Sequence, residues 1–259
     1  MRLARRHGAR WKHAAALFLF LFAGCGVISA SGLKKSIPEI ARCRQLIVVT
    51  TAGWNDSKAT VSYFERADAK NRWKPASGPF AAIVGRNGMA WGIGLHGTLP
   101  AGGRAKREGD DRAPAGVFAL NEVFGVATPA KADVTRFPYV QLTASSEGID
   151  DSRSRYYNRI VDAARIKKKD WVTSEAMSRP KQYRWGIVVE HNWGQSPGAG
   201  SCIFLHLRQG SAKGTSGCTA MAAPALIDII HKLDSPRQPL LVQLPAAEYG
   251  RLKAAWSLP

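Results

Sequence analysis

Short apolar runs separated by turn residues are the feature that most restricts what this chain can fold into. They lie at Leu46–Thr50, Val61–Phe64, Phe80–Val84, Met89–Leu95, Gly116–Leu120, Tyr139–Leu142, Ile187–Val189, Ile203–Leu207 and Leu240–Leu244. Each is rich in Val, Ile or aromatic residues and is bounded by Gly, Pro or Asn, which is the pattern of strands. One stretch has a clear helical period. In Ala223–Asp234 the residues Leu226, Ile229, Ile230 and Leu233 fall on one face, and Pro224 suits a first turn. The expected fold class is mainly β (α+β), with a few short helices in a single domain over residues 38–259.

Residues 1–30 read differently. Arg2, Arg5, Arg6, Arg10 and Lys12 precede an apolar run at Ala14–Phe22, and small residues follow it. That is the layout of a secretory signal peptide, with Ala30 a fitting last residue. Because no charge occurs from Ala14 to Leu33, a retained N-terminal anchor is the rival reading. The stretch ending at Cys25 also resembles a lipoprotein cleavage box, with Phe22 where Leu is usual. All three readings send the domain out of the cytoplasm.

Export changes what the charge means. The chain carries +18, and residues 1–30 hold five bases and no acid, so +13 remains without them. In the cytosol that excess would point to nucleic acid. Outside the membrane the available anions are wall polymer, lipid head groups and acidic peptides. No nucleic-acid module is present, and the one dense basic cluster, Arg165–Asp170, reads as a solvated loop. Two long segments poor in apolar residues, His96–Gly116 and Ser145–Asp170, are expected to frame a cleft.

Beyond Cys25 the cysteines are Cys43, Cys202 and Cys218. In an oxidising compartment a Cys43–Cys202 disulfide is possible, since each precedes or opens a strand-like run, and Cys218 is then left over. Zinc does not suit the region: on a strand, Cys202 and His206 lie about 13 Å apart, too far to share a metal with bonds of about 2 Å. A buried inert thiol is the common alternative for a free cysteine. The neighbours of Cys218 argue against it, because "GTSGC" is small, polar and flexible. The helix-forming stretch that follows suggests a thiol near a helix N-terminus, where backbone N–H groups lower its pKa. His206 alternates onto the same strand face as Cys202 and Phe204, and the loop of residues 207–217 can fold its imidazole back to the thiol as a general base.

These residues carry a resemblance. His206, the loop and "TSGC" (Thr215–Cys218), together with "KREGDDRAPAGVFAL" (Lys106–Leu120), "SRYYNRIVD" (Ser154–Asp162) and "GSCIFLHL" (Gly200–Leu207), resemble a divergent branch of the L,D-transpeptidase (YkuD-type) family. The resemblance implies a β-sandwich catalytic domain acting on peptidoglycan stem peptides in the bacterial periplasm or cell envelope, with no cofactor and no metal. It implies Cys218 as nucleophile, His206 as base, and the backbone N–H groups of Gly217 and Cys218 as oxyanion donors. Two positions depart from the family pattern. Ser216 stands where the family has a second histidine, and the arginine usual after the cysteine is absent. Substrate-carboxylate binding then falls to Arg155, Arg159 or Arg208, with Ser216 beside them. A cysteine hydrolase acting on another amide and a non-catalytic basic wall-binding protein are the competing functions. His96, His191, Trp54, Trp73, Trp91 and Trp193 are expected to be structural.

Overall fold

The computed structural model describes residues 32–259. The signal, anchor and Cys25 readings lie outside the described residues. Among the described residues no helix is long and apolar enough to cross a membrane.

The strands are β1 (Gln45–Thr51), β2 (Lys58–Glu65), β3 (Lys74–Ile83), β4 (Met89–Trp91), β5 (Ala113–Gly125), β6 (Tyr139–Gln141), β7 (Ser146–Gly148), β8 (Ile160–Asp162), β9 (Glu175–Ala176), β10 (Trp185–Val189), β11 (Phe204–Leu207), β12 (Thr219–Met221) and β13 (Leu240–Pro245). Four short helices accompany them: α1 (Pro38–Arg42), α2 (Pro129–Ala132), α3 (Ala223–Lys232) and α4 (Ala246–Leu252). Every apolar run of the sequence contributes a strand. The Met89–Leu95 run stops short, because Trp91 is the last residue in register and Gly92 and Gly94 are pressed against the Phe118 ring.

The architecture is a closed barrel, which corrects the expected sandwich. Its ring runs β10–β11–β12–β3–β2–β1–β13–β5 and closes because β5 also pairs with β10. Closure depends on the length of β5. Its residues 113–115 pair β4, 116–119 pair β13, and the segment 120–125 reaches β10, while 123–125 also take β6. A closed ring leaves few unpaired edges. The near-continuous apolar sequence of β1 is explained by burial on both faces, since α4 packs over β1 and β13. On the opposite arc α3 buries Leu226, Ile229 and Ile230 against β3, β10 and β11.

Two buried histidines flank Phe118 of β5, and one of them bonds the strand itself. The Val117 N–H donates to His96 Nδ1 at 3.1 Å, and the Ile93 N–H donates to His191 Nδ1 at 3.2 Å. Phe118 stands between the two rings, with centroids 5.7 Å from His96 and 5.9 Å from His191. Gly116 makes room for this arrangement. Its φ is +140°, and a Cβ there would lie 2.1 Å from His96 Cε1. Gly116→Ala should therefore cost about 3 kcal/mol or more. Urea unfolding of the variant checks this, and a loss below about 1 kcal/mol would show that the ring yields.

Candidate active site

The strand pair β11–β12 places the predicted nucleophile and base. The two strands run parallel, with His206 opposite Ala220 and Leu205 opposite Thr219. Cys218 sits one residue before β12, so it falls opposite Phe204 and on the same face as His206. Two residues of rise across neighbouring strands separate their Cα atoms by about 8 Å. Both side chains line one cleft of about 630 Å³. The cleft is also lined by Arg86, Tyr183, Ser216 and three acids, Glu108, Asp150 and Glu175.

Cys218 is partly exposed, and its Sγ is held at two points. The Phe204 N–H donates to Sγ at 3.3 Å, and the thiol donates to the Cys202 carbonyl at 3.5 Å. Burial pushes the thiol up to about 12. The Phe204 N–H acts against this, the Glu175 carboxylate adds to it, and the Lys106 ammonium opposes it. The expected helix N-terminus does not supply a thiolate-stabilising field, because β12 and Ala222 intervene before α3 begins.

His206 is buried, and its Nδ1 lies 3.0 Å from the Leu207 carbonyl. A carbonyl only accepts, so Nδ1 carries the proton and Nε2 is left with a free lone pair. Burial lowers the imidazole pKa, with the Leu207 carbonyl acting in the opposite sense. The resting pair at neutral pH is therefore a thiol and a neutral imidazole. Tyr183 orders this wall. Its ring meets those of His206 and Phe204 edge-on at 5.4 and 5.8 Å, and its hydroxyl donates to Glu175 at 2.9 Å.

Thr215 shapes the cysteine loop. Its hydroxyl donates to the Cys218 carbonyl at 2.6 Å and accepts from the Gly217 N–H at 3.1 Å. That second bond corrects one expectation: the Gly217 N–H is occupied within the loop, so Cys218 is the remaining backbone donor of the expected pair. The loop is also stitched to the β3–β4 turn, by the Arg86 N–H to Thr215 O at 2.8 Å and the Thr215 N–H to Val84 O at 2.9 Å. Gly214 permits this approach, since a Cβ there would lie 2.4 Å from Arg86 Cα.

The substrate-binding arginines expected from the sequence do not line the cleft. Arg155 pairs with Asp170 on the surface and lies over the Tyr156 ring. Arg159 stacks on Trp193 at 3.5 Å and donates to the Asn158 and Trp193 carbonyls. Arg208 is exposed and donates to Ala212 O at 3.0 Å. The arginine that does line the cleft is Arg86. Its guanidinium reaches Ser216 Oγ at 3.4 Å and Asp111 at 3.2 Å, and its side chain keeps 57 % of its surface exposed.

The Cys43–Cys202 disulfide is not formed. Cys43 is wholly buried beside α1 and donates to Ile40 O, while Cys202 sits at the cleft and donates to Ile149 O. The three blocks around the cleft interlock instead. Glu108 accepts from Tyr157 at 2.7 Å and from Ser201 at 2.9 Å, and Asn158 accepts from the Cys202 N–H at 2.8 Å. "SRYYNRIVD" is thus a hydrogen-bonded scaffold beneath the site.

Sequence reasoning missed Arg86, Thr215, Tyr183 and Glu175. Thr215 had a readable signal, a hydroxyl two residues before Gly217 in a turn. Arg86 had none, because only the barrel brings residues 86 and 216 together. Comparison with protein-family models, curated proteins and solved structures finds no match to this chain.

Proposed function

We propose that this chain is a cysteine acyltransferase of the L,D-transpeptidase type, exported to the bacterial cell envelope and acting on peptidoglycan stem peptides. The observation that carries the reading is that Cys218 and His206 lie on the same face of the β11–β12 pair and line one cleft. The His206 tautomer, with Nε2 free, is the form a general base requires. The proposed fold relationship is to the catalytic domain of that family, in its divergent branch.

In the proposed reaction, rotation about χ1 turns the Cys218 thiol from Cys202 O toward His206. Sγ attacks the carbonyl between a diamino acid and a terminal D-alanine as Nε2 takes the thiol proton. The Cys218 N–H stabilises the oxyanion. Nε2–H then protonates the departing D-alanine amine as the C–N bond breaks, which leaves a thioester on Cys218. An acceptor amine attacks that thioester, gives its proton to His206, and releases the thiol. Water in place of the amine makes the enzyme a carboxypeptidase. No step calls on a metal or cofactor. Arg86 is the proposed partner of a substrate carboxylate, and Asp150 and Glu175 are proposed partners of its ammonium group.

Mass spectrometry of products formed from a stem tetrapeptide and an acceptor amine tests this reading. Loss of D-alanine with gain of the acceptor is the expected result. Loss of D-alanine without gain would make the enzyme a hydrolase, and no change in the peptide would overturn the reading.

A further inference from the structure

A second cavity, of about 610 Å³, shares no lining residue with the Cys218 cleft. Trp54, Trp91, Arg104, Arg112, Glu248 and Arg251 line it. Three guanidinium groups thus face one carboxylate, and that carboxylate pairs with Arg251. Among the described residues no carboxylate forms an ion pair with Arg104 or Arg112.

One cationic group is built in place. Arg112 donates to Trp54 O at 3.2 Å, Met89 O at 3.1 Å and Asn55 Oδ1 at 2.9 Å, so its guanidinium is anchored at the cavity wall. Arg104 is brought alongside Trp91 by the backbone, with the Trp91 N–H donating to Arg104 O and the Lys106 N–H donating to Trp91 O, both at 2.8 Å. Gly103 allows the loop to press on the indole, since a Cβ there would lie 2.8 Å from Trp91 Cδ1. Burial first, and then the Arg104 charge, lower the pKa of Arg112, with the Asp110 carboxylate acting in the opposite sense. Trp54 packs against the buried Trp91 indole, with centroids 5.3 Å apart and planes tilted by 55°, and is the indole left partly exposed at the cavity.

The geometry points to a second ligand site that takes an anionic saccharide, a sugar ring bearing a carboxylate or a phosphate. Guanidinium pairs match either anion with two-pronged hydrogen bonds. The partly exposed Trp54 offers an apolar face to the ring. Arg251 takes only Oε2 of Glu248, which leaves Oε1 as an acceptor for a ligand hydroxyl. A cavity of this size holds a small ligand. Such a site accounts for part of the basic excess and does not depend on the chemistry at Cys218. It anchors the protein on an anionic glycan while the other cleft works.

Titration of the full chain, followed by tryptophan fluorescence and ligand-observed NMR, tests the inference. The probes are N-acetylmuramic acid, N-acetylglucosamine 6-phosphate, neutral N-acetylglucosamine and inorganic phosphate. At low salt, one or both anionic sugars should bind at least about tenfold tighter than the neutral sugar, and salt should weaken them. Which of them binds identifies the carboxylate or the phosphate as the anion read. Arg104 is exposed, so Arg104→Gln should leave the fold intact and weaken binding about tenfold or more. Cys218→Ala should bind as the parent does. Equal binding of the neutral sugar, an unchanged affinity in Arg104→Gln, inorganic phosphate matching the sugar phosphate, or no binding by either anionic sugar would each overturn the inference.

Discussion

Lowering the pH from neutral to about 4 should remove on the order of 6 kcal/mol of stability through two residues alone, His96 and His191. Burial is the leading cause in both, and it depresses each imidazole from 6.5 to about 4. The Lys34 charge bears on His96 in the same sense, and Lys106 and His96 on His191, while Asp110 opposes them at His191. In the unfolded chain both rings protonate near 6.5, whereas in the fold they stay neutral to about 4. Between those values the unfolded state binds more protons. The stabilisation is therefore complete above about 6.5 and is lost as the pH falls through about 4, at about 3 kcal/mol for each ring. Glu122, Glu175 and Glu190 run the other way, because burial raises their pKa values and favours the protonated fold. A total domain stability of about 5–15 kcal/mol makes the net effect large. Urea unfolding at successive pH values reads it as a slope. In His191→Gln that slope should fall by about half whatever the variant's absolute stability. A flat profile in the parent between pH 6.5 and 4.5 would mean that the two rings are not held neutral.

Replacing His206 with alanine should slow acylation of Cys218 by about 10²–10⁴-fold. With the thiol pushed up to about 12, very little thiolate exists at neutral pH, so attack depends on a base that takes the proton during bond formation. Burial keeps His206 neutral to below its ordinary 6.5, so the parent rate should hold level from neutral pH to below 6.5 and decline only at lower pH. His206→Ala removes that base and leaves spontaneous ionisation. Its rate should then climb about tenfold per pH unit toward about 12. Stopped-flow acylation across pH distinguishes the two profiles. A variant with the parent's profile would assign the base role elsewhere.

The strands and α3 were legible because apolar side chains repeat at strand and helix periods, and burial enforces those repeats. Barrel closure was not legible. It follows from β5 being long enough to serve four neighbours, and a run read as Gly116–Leu120 conceals that length. The segment Ser145–Asp170 was expected to be loop, yet it supplies β7 and β8 of a small sheet completed by β9. Polar bonds hold that region, with Glu147 accepting from Lys169, Trp171 and Ser174, so hydropathy carries no trace of it. That Cys218 and His206 lie near one another was readable from residue type and spacing, and both line one cleft. Arg86 was not, since its place beside Ser216 comes from tertiary pairing. Arg159 misled because an arginine in a polar motif reads as a ligand contact, whereas here it stacks on Trp193 and caps backbone carbonyls.

The most direct test of the central claim is the intact mass of the reduced, folded protein after incubation with a carbapenem, which acylates as a mimic of the stem peptide. One covalent adduct in the parent, absent from Cys218→Ala and formed slowly by His206→Ala, is the predicted result. A parent that stays unmodified, or an adduct that persists in Cys218→Ala, would contradict the assignment of Cys218 as the nucleophile.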